Sequence, residues 1–275
     1  MRTNIFRIIL ISIIYVLISS FINIPLIQKF EGKAYYLSKS NMDLGKWGAK
    51  LSELQKKQIK SRLKNRLEKS YILEFNKEES IYKEEAKLDA ISGATDSWGK
   101  NFAPGNVYKN LRTNSQLQNQ EFYGKNFLVN DSLLSLNWNL NNESKKIGNY
   151  TCFKATSSVP TETLAWYSFS WDSLSNKTDS TNLAEKEIKM TTIEAWYTPQ
   201  IPITNGPSDY GGLPGLILEV SAGDTTLLCY KIVLNPEEKS KIEAPSKGKV
   251  VSKKQYKTII TEKMKEFRNN RMGRR

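Results

Sequence analysis

The sequence predicts an α+β domain: a curved antiparallel sheet forming an incomplete barrel, with an N-terminal amphipathic helix and a C-terminal helix. Three observations carry this expectation. About nine or ten short runs alternate apolar and polar residues and are separated by polar turns, the spacing of an antiparallel meander. A leucine stripe at three- and four-residue intervals precedes most of them. Between two of the runs, residues 193–220 hold four of the nine prolines and four glycines, so the chain must reverse there through a rigid elbow.

In chain order, Arg2 and Arg7 precede an apolar run from Ile8 that stays apolar to Ile27. Residues 1–27 therefore read as a signal peptide, or as an inner-membrane anchor, since about 20 apolar residues span a bilayer. The sheet domain with its leading helix is assigned to 28–235. Leu44, Trp47, Leu51, Leu54, Ile59, Leu63 and Leu67 place that amphipathic helix at about 44–69, its stripe turned toward the sheet. Tyr71 to Asn76 and Ser80 to Lys83 form a hairpin, and 84–106 a surface loop.

Strands are expected at Val107–Leu111, Lys125–Val129, Leu134–Leu140 and Tyr150–Ala155. Thr163–Trp171 and Glu187–Thr198 read as the arms of a long hairpin with its tip at 172–186. After the elbow come strands at 216–220 and 225–234. The remainder, 236–275, is a basic segment whose helix is capped by Ser252 and bears Tyr256, Ile259, Ile260, Met264 and Phe267 on one side.

Within the elbow, Pro199 and Pro202 cannot donate ladder hydrogen bonds, so the chain leaves the sheet after Thr198. Asn205-Gly206-Pro207 makes a turn, and Leu213-Pro214-Gly215-Leu216 suits a type II turn. Trp196 and Tyr210 are candidate exposed aromatics rimming a binding surface, with Tyr197, Leu213 and Trp138 as further candidate contacts for a ligand or partner.

Gly212-Leu213-Pro214-Gly215-Leu216-Ile217, with WYTPQIPI ahead of it, resembles the signature stretch of the GLPGLI family, envelope proteins of Bacteroidota. YILEFNKEESIYK at 71–83, VYKNL at 107–111, FYGKNFLVND at 122–131, and Trp138 followed by KKIGNYTCFKA at 145–155 are similar to further family blocks, in the same order. The resemblance covers about 71–235, and the 163–198 hairpin departs from the compact family pattern. It implies a secreted protein from a family without a settled biochemical activity. The sheet also looks like the incomplete barrel of periplasmic lipoprotein carriers, an analogy of fold that implies an apolar concave face.

Charge and composition set exclusions. The formal net charge is +13, but 237–275 alone holds thirteen basic against five acidic residues, so the excess is concentrated in one segment rather than spread as a nucleic-acid footprint. Membrane association through residues 8–27 or through this basic segment is the corresponding expectation. The chain has no histidine, which removes Ser-His-Asp, Cys-His and HExxH chemistry. No metal-ligand or cofactor motif is present. Asp209 and Glu219 flank the elbow as the carboxylates an envelope hydrolase would need. Cys152 and Cys229 are the two cysteines, a candidate disulfide in an oxidising compartment. The expected function is a non-enzymatic periplasmic or outer-envelope protein that binds a hydrophobic ligand or an outer-membrane partner, without cofactor. The alternative is a structural or interaction module of a TonB-dependent uptake system.

Overall fold

Residues 30–41, 49–85, 104–169, 188–238 and 241–272 are described by a computed structural model of the chain. The expected signal or anchor, residues 86–103 of the expected loop and the 172–186 tip lie outside them. In chain order come β1 (Glu31–Ser40), α1 (Glu53–Arg62), α2 (Lys64–Leu67), β2 (Glu68–Asn76), β3 (Glu79–Glu84), β4 (Val107–Asn110), β5 (Ser115–Phe122) and β6 (Lys125–Ser132). There follow β7 (Asn139–Ile147), β8 (Tyr150–Pro160), α3 (Thr161–Leu164), β9 (Met190–Thr198), β10 (Leu216–Ala222), β11 (Thr225–Leu234), β12 (Lys249–Val251) and α4 (Lys253–Met272).

These twelve strands join one open sheet in the order β12-β6-β5-β4-β3-β2-β1-β11-β10-β9-β8-β7. It does not close into a barrel. All pairings are antiparallel except that of β12 with β6. The β2–β3 hairpin and the strands at 190–198, 216–222 and 225–234 form where alternation places them.

Strands β1, β5 and β12 escape the sequence reading, the first two for one reason. In β1 the buried positions are Gly32, Ala34, Tyr36 and Ser38, while Tyr35 and Leu37 face the other way. In β5 they are Gln116, Gln118, Gln120 and Phe122. Both invert the hydrophobic pattern by which a half-buried strand is recognised. Gly32 is dictated by packing, because a Cβ there would stand 2.5 Å from the ring of Phe75 on the neighbouring strand.

Three expectations are corrected. The leading helix is shorter than 44–69, because β2 already begins at Glu68. Within α1 the stripe does not bury itself on the sheet: none of the α1 side chains is buried and Leu54 is 67% exposed, while Leu44 and Trp47 lie outside the described residues. Leu134–Leu140 is largely not a strand, β7 starting only at Asn139. Thr163–Trp171 is not a hairpin arm, because β8 runs to Pro160 and pairs with β9 as far as Met190. The chain then turns through α3, which turns Trp166 toward α4.

One face of the sheet is covered by two bodies of chain. Over β8 to β11, the elbow between β9 and β10 delivers Leu213 onto Ala155, Val159, Ile193, Ala195, Tyr197, Ile217, Val220 and Leu227. Over β5, β6 and β12, α4 lays Tyr256, Ile260 and Met264 on Phe122, Phe127, Val129, Val251 and Trp166. Ser252 caps α4 as its sequence suggests, accepting from Gln255 N at 3.2 Å while Gln255 Oε1 accepts from Ser252 N at 2.8 Å.

Because α4 and not α1 supplies the packed helical face, Ile260→Ala should cost about 2–5 kcal/mol of stability, the cost of an unfilled core position. Leu54→Ala should stay within about 0.5 kcal/mol of the parent. Urea denaturation of the two variants checks the contrast.

Candidate functional site

The elbow leaves β9 at Thr198 and rejoins the sheet at Leu216, and its own backbone ties the two ends together. Leu216 N donates to Ile201 O at 3.0 Å and Ile217 N to Asn205 O at 3.1 Å. The 213–216 reversal is tighter than the expected type II turn, since Gly215 N donates to Leu213 O at 2.8 Å, two residues back. Glycine is needed at 215 for close approach: a Cβ would lie 2.2 Å from Thr198 O.

What holds the elbow against the sheet is a row of polar side chains crossing four strands. Ser80 of β3 pairs with Lys109 of β4, Lys109 with Gln116 of β5, and Gln116 with Asp131 of β6. Each connects upward to the elbow or to α4. Ser80 Oγ accepts from Asn205 Nδ2 at 2.8 Å. Lys109 Nζ donates to Gly206 O at 2.7 Å and Tyr210 O at 2.8 Å. Gln116 Nε2 donates to Asp209 Oδ1 at 2.5 Å, and Asp131 Oδ2 accepts from Lys253 N, the first residue of α4, at 3.1 Å.

Asp209 is where the two covering bodies meet. Its Oδ2 accepts from Trp166 Nε1 at 3.4 Å and stands 3.5 Å from Lys253 Nζ. Lys109 is 2% exposed, and its burial, opposed by Asp209 and assisted by Lys253, brings its pKa down to about 7. Burial, with Asp209 adding to it, pushes the Tyr167 phenol up to about 12. Tyr210 is raised by the same two causes in the same order. The result is a latch with a buried, partly charged lysine at its centre.

Among the residues expected to form a binding rim, Tyr197 and Leu213 are core side chains. Tyr210 is half-buried against the same core. Trp138 also packs there, and its indole N–H donates to Gly211 O at 2.9 Å. Trp196 is buried rather than exposed, on the opposite face from Tyr197. Lys145 Nζ stands 4.2 Å above its ring centroid, and its Nε1 donates to Glu194 Oε1 at 3.1 Å. These five residues do not make one surface; four of them buttress the elbow from within.

Nor do Asp209 and Glu219 make a catalytic pair. Glu219 is bound to Lys145 at 2.6 Å beside Trp196, on the face away from Asp209. Cys152 and Cys229 are free and buried, not bridged. Strands β9 and β10 lie between them, so their Cα atoms stand roughly 14 Å apart along the sheet, well beyond bridging distance. Burial raises the thiols to about 11 and about 12, leaving them unreactive. Among the described residues no cluster of His, Cys, Asp or Glu is suited to a metal ion.

The face opposite the elbow presents a different surface on the two central strands. Leu37 of β1 stands directly opposite Leu228 of β11, and both are exposed. A bulge places Tyr230, 56% exposed, 6.2 Å from the ring of Tyr35, over which Lys231 Nζ lies at 4.9 Å. Lys33 and Lys39 continue this face along β1. Sequence reasoning passed over all of these residues, along with Lys109, Gln116, Asp131 and Lys253. A lysine inside the apolar VYK run and the alternating glutamines of QLQNQ were the available signals.

The geometry defines an open antiparallel sheet with one face plugged by its own elbow and helix. A family model described as a protein of unknown function (Porph_ging) matches residues 138–219, which run from Trp138 through the whole elbow to Glu219. Two solved structures of PNGF-II are similar. The one in the C2 space group has 15% identity and a TM-score of 0.48, over 84% of this chain and 32% of that one. The one in the P21 space group has 15% identity and a TM-score of 0.43, over 82% and 31%. The chain thus spans about a third of the length of these structures. No curated protein matches it.

Lys109 sets a pH dependence. Its folded pKa, about 7, lies below the ordinary value of 10.5, so between these limits the unfolded chain holds a proton that the folded chain lacks. Stability from this group therefore rises with pH from about 7 upward, by a few kcal/mol at most over the window. Denaturation midpoints followed from about pH 7 to about pH 9.5, below the tyrosine range, should show the rise in the parent and not in Lys109→Met. At the low end, Lys109→Met should still be less stable, because Gly206 O and Tyr210 O lose their donor.

Proposed function

We propose that this chain is a non-enzymatic protein of the bacterial cell envelope, of the GLPGLI kind, that recognises an outer-membrane partner through the exposed face of β1 and β11. The observation that carries this is the contiguous apolar surface of Leu37, Leu228, Tyr230 and Tyr35, rimmed by lysines. An apolar centre with tyrosine and a polar border is how a protein interface is built. The plugged face supports the same reading. Leu213, Tyr197, Tyr210 and Trp138 already pack on one another there, leaving a hydrophobic ligand less support than a protein partner.

Binding rather than catalysis is supported by the absence of histidine and by the sealing of Lys109. Delivery to the envelope rests on the basic and apolar character of residues 1–27. Among the described residues no helix is long and apolar enough to cross a membrane.

The test is crosslinking in intact cells followed by native mass spectrometry of the isolated protein. A defined protein partner should be recovered with the parent, and Leu228→Ser combined with Tyr230→Ser should abolish it with a change in stability below about 1 kcal/mol. Recovery of lipid alone, or of the same partner with the double variant, would overturn the reading.

A further inference from the structure

Among the described residues the sheet ends in two edge strands, β7 and β12, and they are built differently. At β7, residues Asn141 to Glu143 bulge out of the pairing with β8, and Lys145 is engaged by Glu219. Bulged edges resist the addition of another strand. At the other end β12 pairs in unbroken register with β6 on one side, and no strand covers its far side among the described residues. Val250 is 62% exposed there.

Between β12 and the first turns of α4 lies a groove of about 400 Å³, lined by Lys249, Val250, Lys254, Gln255 and Ile259 among others. Its floor is mainly apolar and no carboxylate lines it, while two lysines do. The segment from Glu237 onward is itself strongly basic. A second copy of this chain would set Lys249 and Lys254 against the same lysines, which disfavours self-association.

We propose that this edge and groove take up an extended acidic segment of a partner protein. The segment adds beside β12 as a further strand, so that its main chain finds the unpaired edge. Its side chains alternate, one apolar residue entering the groove between Val250 and Ile259 while the neighbouring carboxylates meet Lys249 and Lys254. The site is separate from the β1–β11 face and does not depend on it.

Fluorescence anisotropy of the full chain with a labelled Glu-Val-Glu-Val-Glu-Val peptide tests this. Saturable binding is expected, weakened about tenfold or more in Lys249→Glu combined with Lys254→Glu, and by a similar factor when alternate backbone nitrogens of the peptide are methylated. Methylation leaves the peptide charges and the protein fold untouched, so it decides the matter even if the charge-reversed variant misfolds. Absence of saturable binding overturns the proposal. So does undiminished binding of the methylated peptide, which would mean charge alone, or displacement of the peptide by phosphatidylglycerol vesicles, which would mean a lipid surface. Leu228→Ser with Tyr230→Ser should leave peptide binding unchanged, so failure here is distinguishable from failure at the other face.

Discussion

The row Ser80, Lys109, Gln116 and Asp131 is the constraint on which the architecture rests. A polar row across the middle of a sheet face is costly unless its members find partners, and each of these four finds one in the two bodies that cover the face, while Gln116 Oε1 is left without a hydrogen bond. Lys109 matters most. A buried ammonium costs several kcal/mol to desolvate, and it is tolerated because two elbow carbonyls accept from it and Asp209 lies near. The carbonyls of Gly206 and Tyr210 depend on the lysine in turn, since the elbow carries them off the sheet ladder. Each half thus supplies hydrogen-bond partners that the other lacks.

Through Asp209 the latch couples two regions far apart in sequence. Elbow, α3 turn and α4 meet at one carboxylate: Gln116 reaches it from the sheet, Trp166 from the turn, Lys253 from the helix. Asp131 fixes the start of α4 independently through the Lys253 backbone. The C-terminal helix is thus positioned at its first residue by two carboxylates, and its apolar face then follows onto Phe127 and Val129 by helical geometry.

How much of this was legible in the sequence depends on what each pattern encodes. Local rules were enough for the elbow, the hairpin at Asn76, the strands on either side of 199–215 and the Ser252 cap, because each is decided by residues close in the chain. The strands β1 and β5 were not legible. Besides Tyr36 and Phe122, their inner positions are filled by Gly32, Ala34, Ser38 and three glutamines, and of these Gly32 and Gln116 make sense only once Phe75 and Asp209 are known to lie against them. The latch was hidden for the same reason: Ser80, Lys109, Gln116 and Asp131 are aligned by strand register, which no spacing in the sequence reveals. The elbow aromatics illustrate the converse error. Trp196 and Tyr210 sit next to prolines and glycines, where exposure is the ordinary expectation, yet both are held by long-range contacts.

The inversion of β1 carries a further consequence. A strand that only had to fold would turn Tyr35 and Leu37 inward, where each apolar side chain gains from burial. Here Tyr36 is turned inward, where its hydroxyl donates to Ile217 O at 2.7 Å, while Gly32, Ala34 and Ser38 are small, Gly32 because Phe75 fills the space beside it, and Tyr35 and Leu37 are left outside, beside Tyr230 and opposite Leu228. The tryptophans at 138, 166 and 196 have no such freedom, each having committed its indole N–H to an internal acceptor. Freeing any of them for a partner would leave Gly211 O, Asp209 or Glu194 short of a donor, whereas covering Tyr35, Leu37, Leu228 and Tyr230 breaks no internal hydrogen bond of the latch. The large apolar side chains left outside the latch on the described open face are therefore those of the central strands.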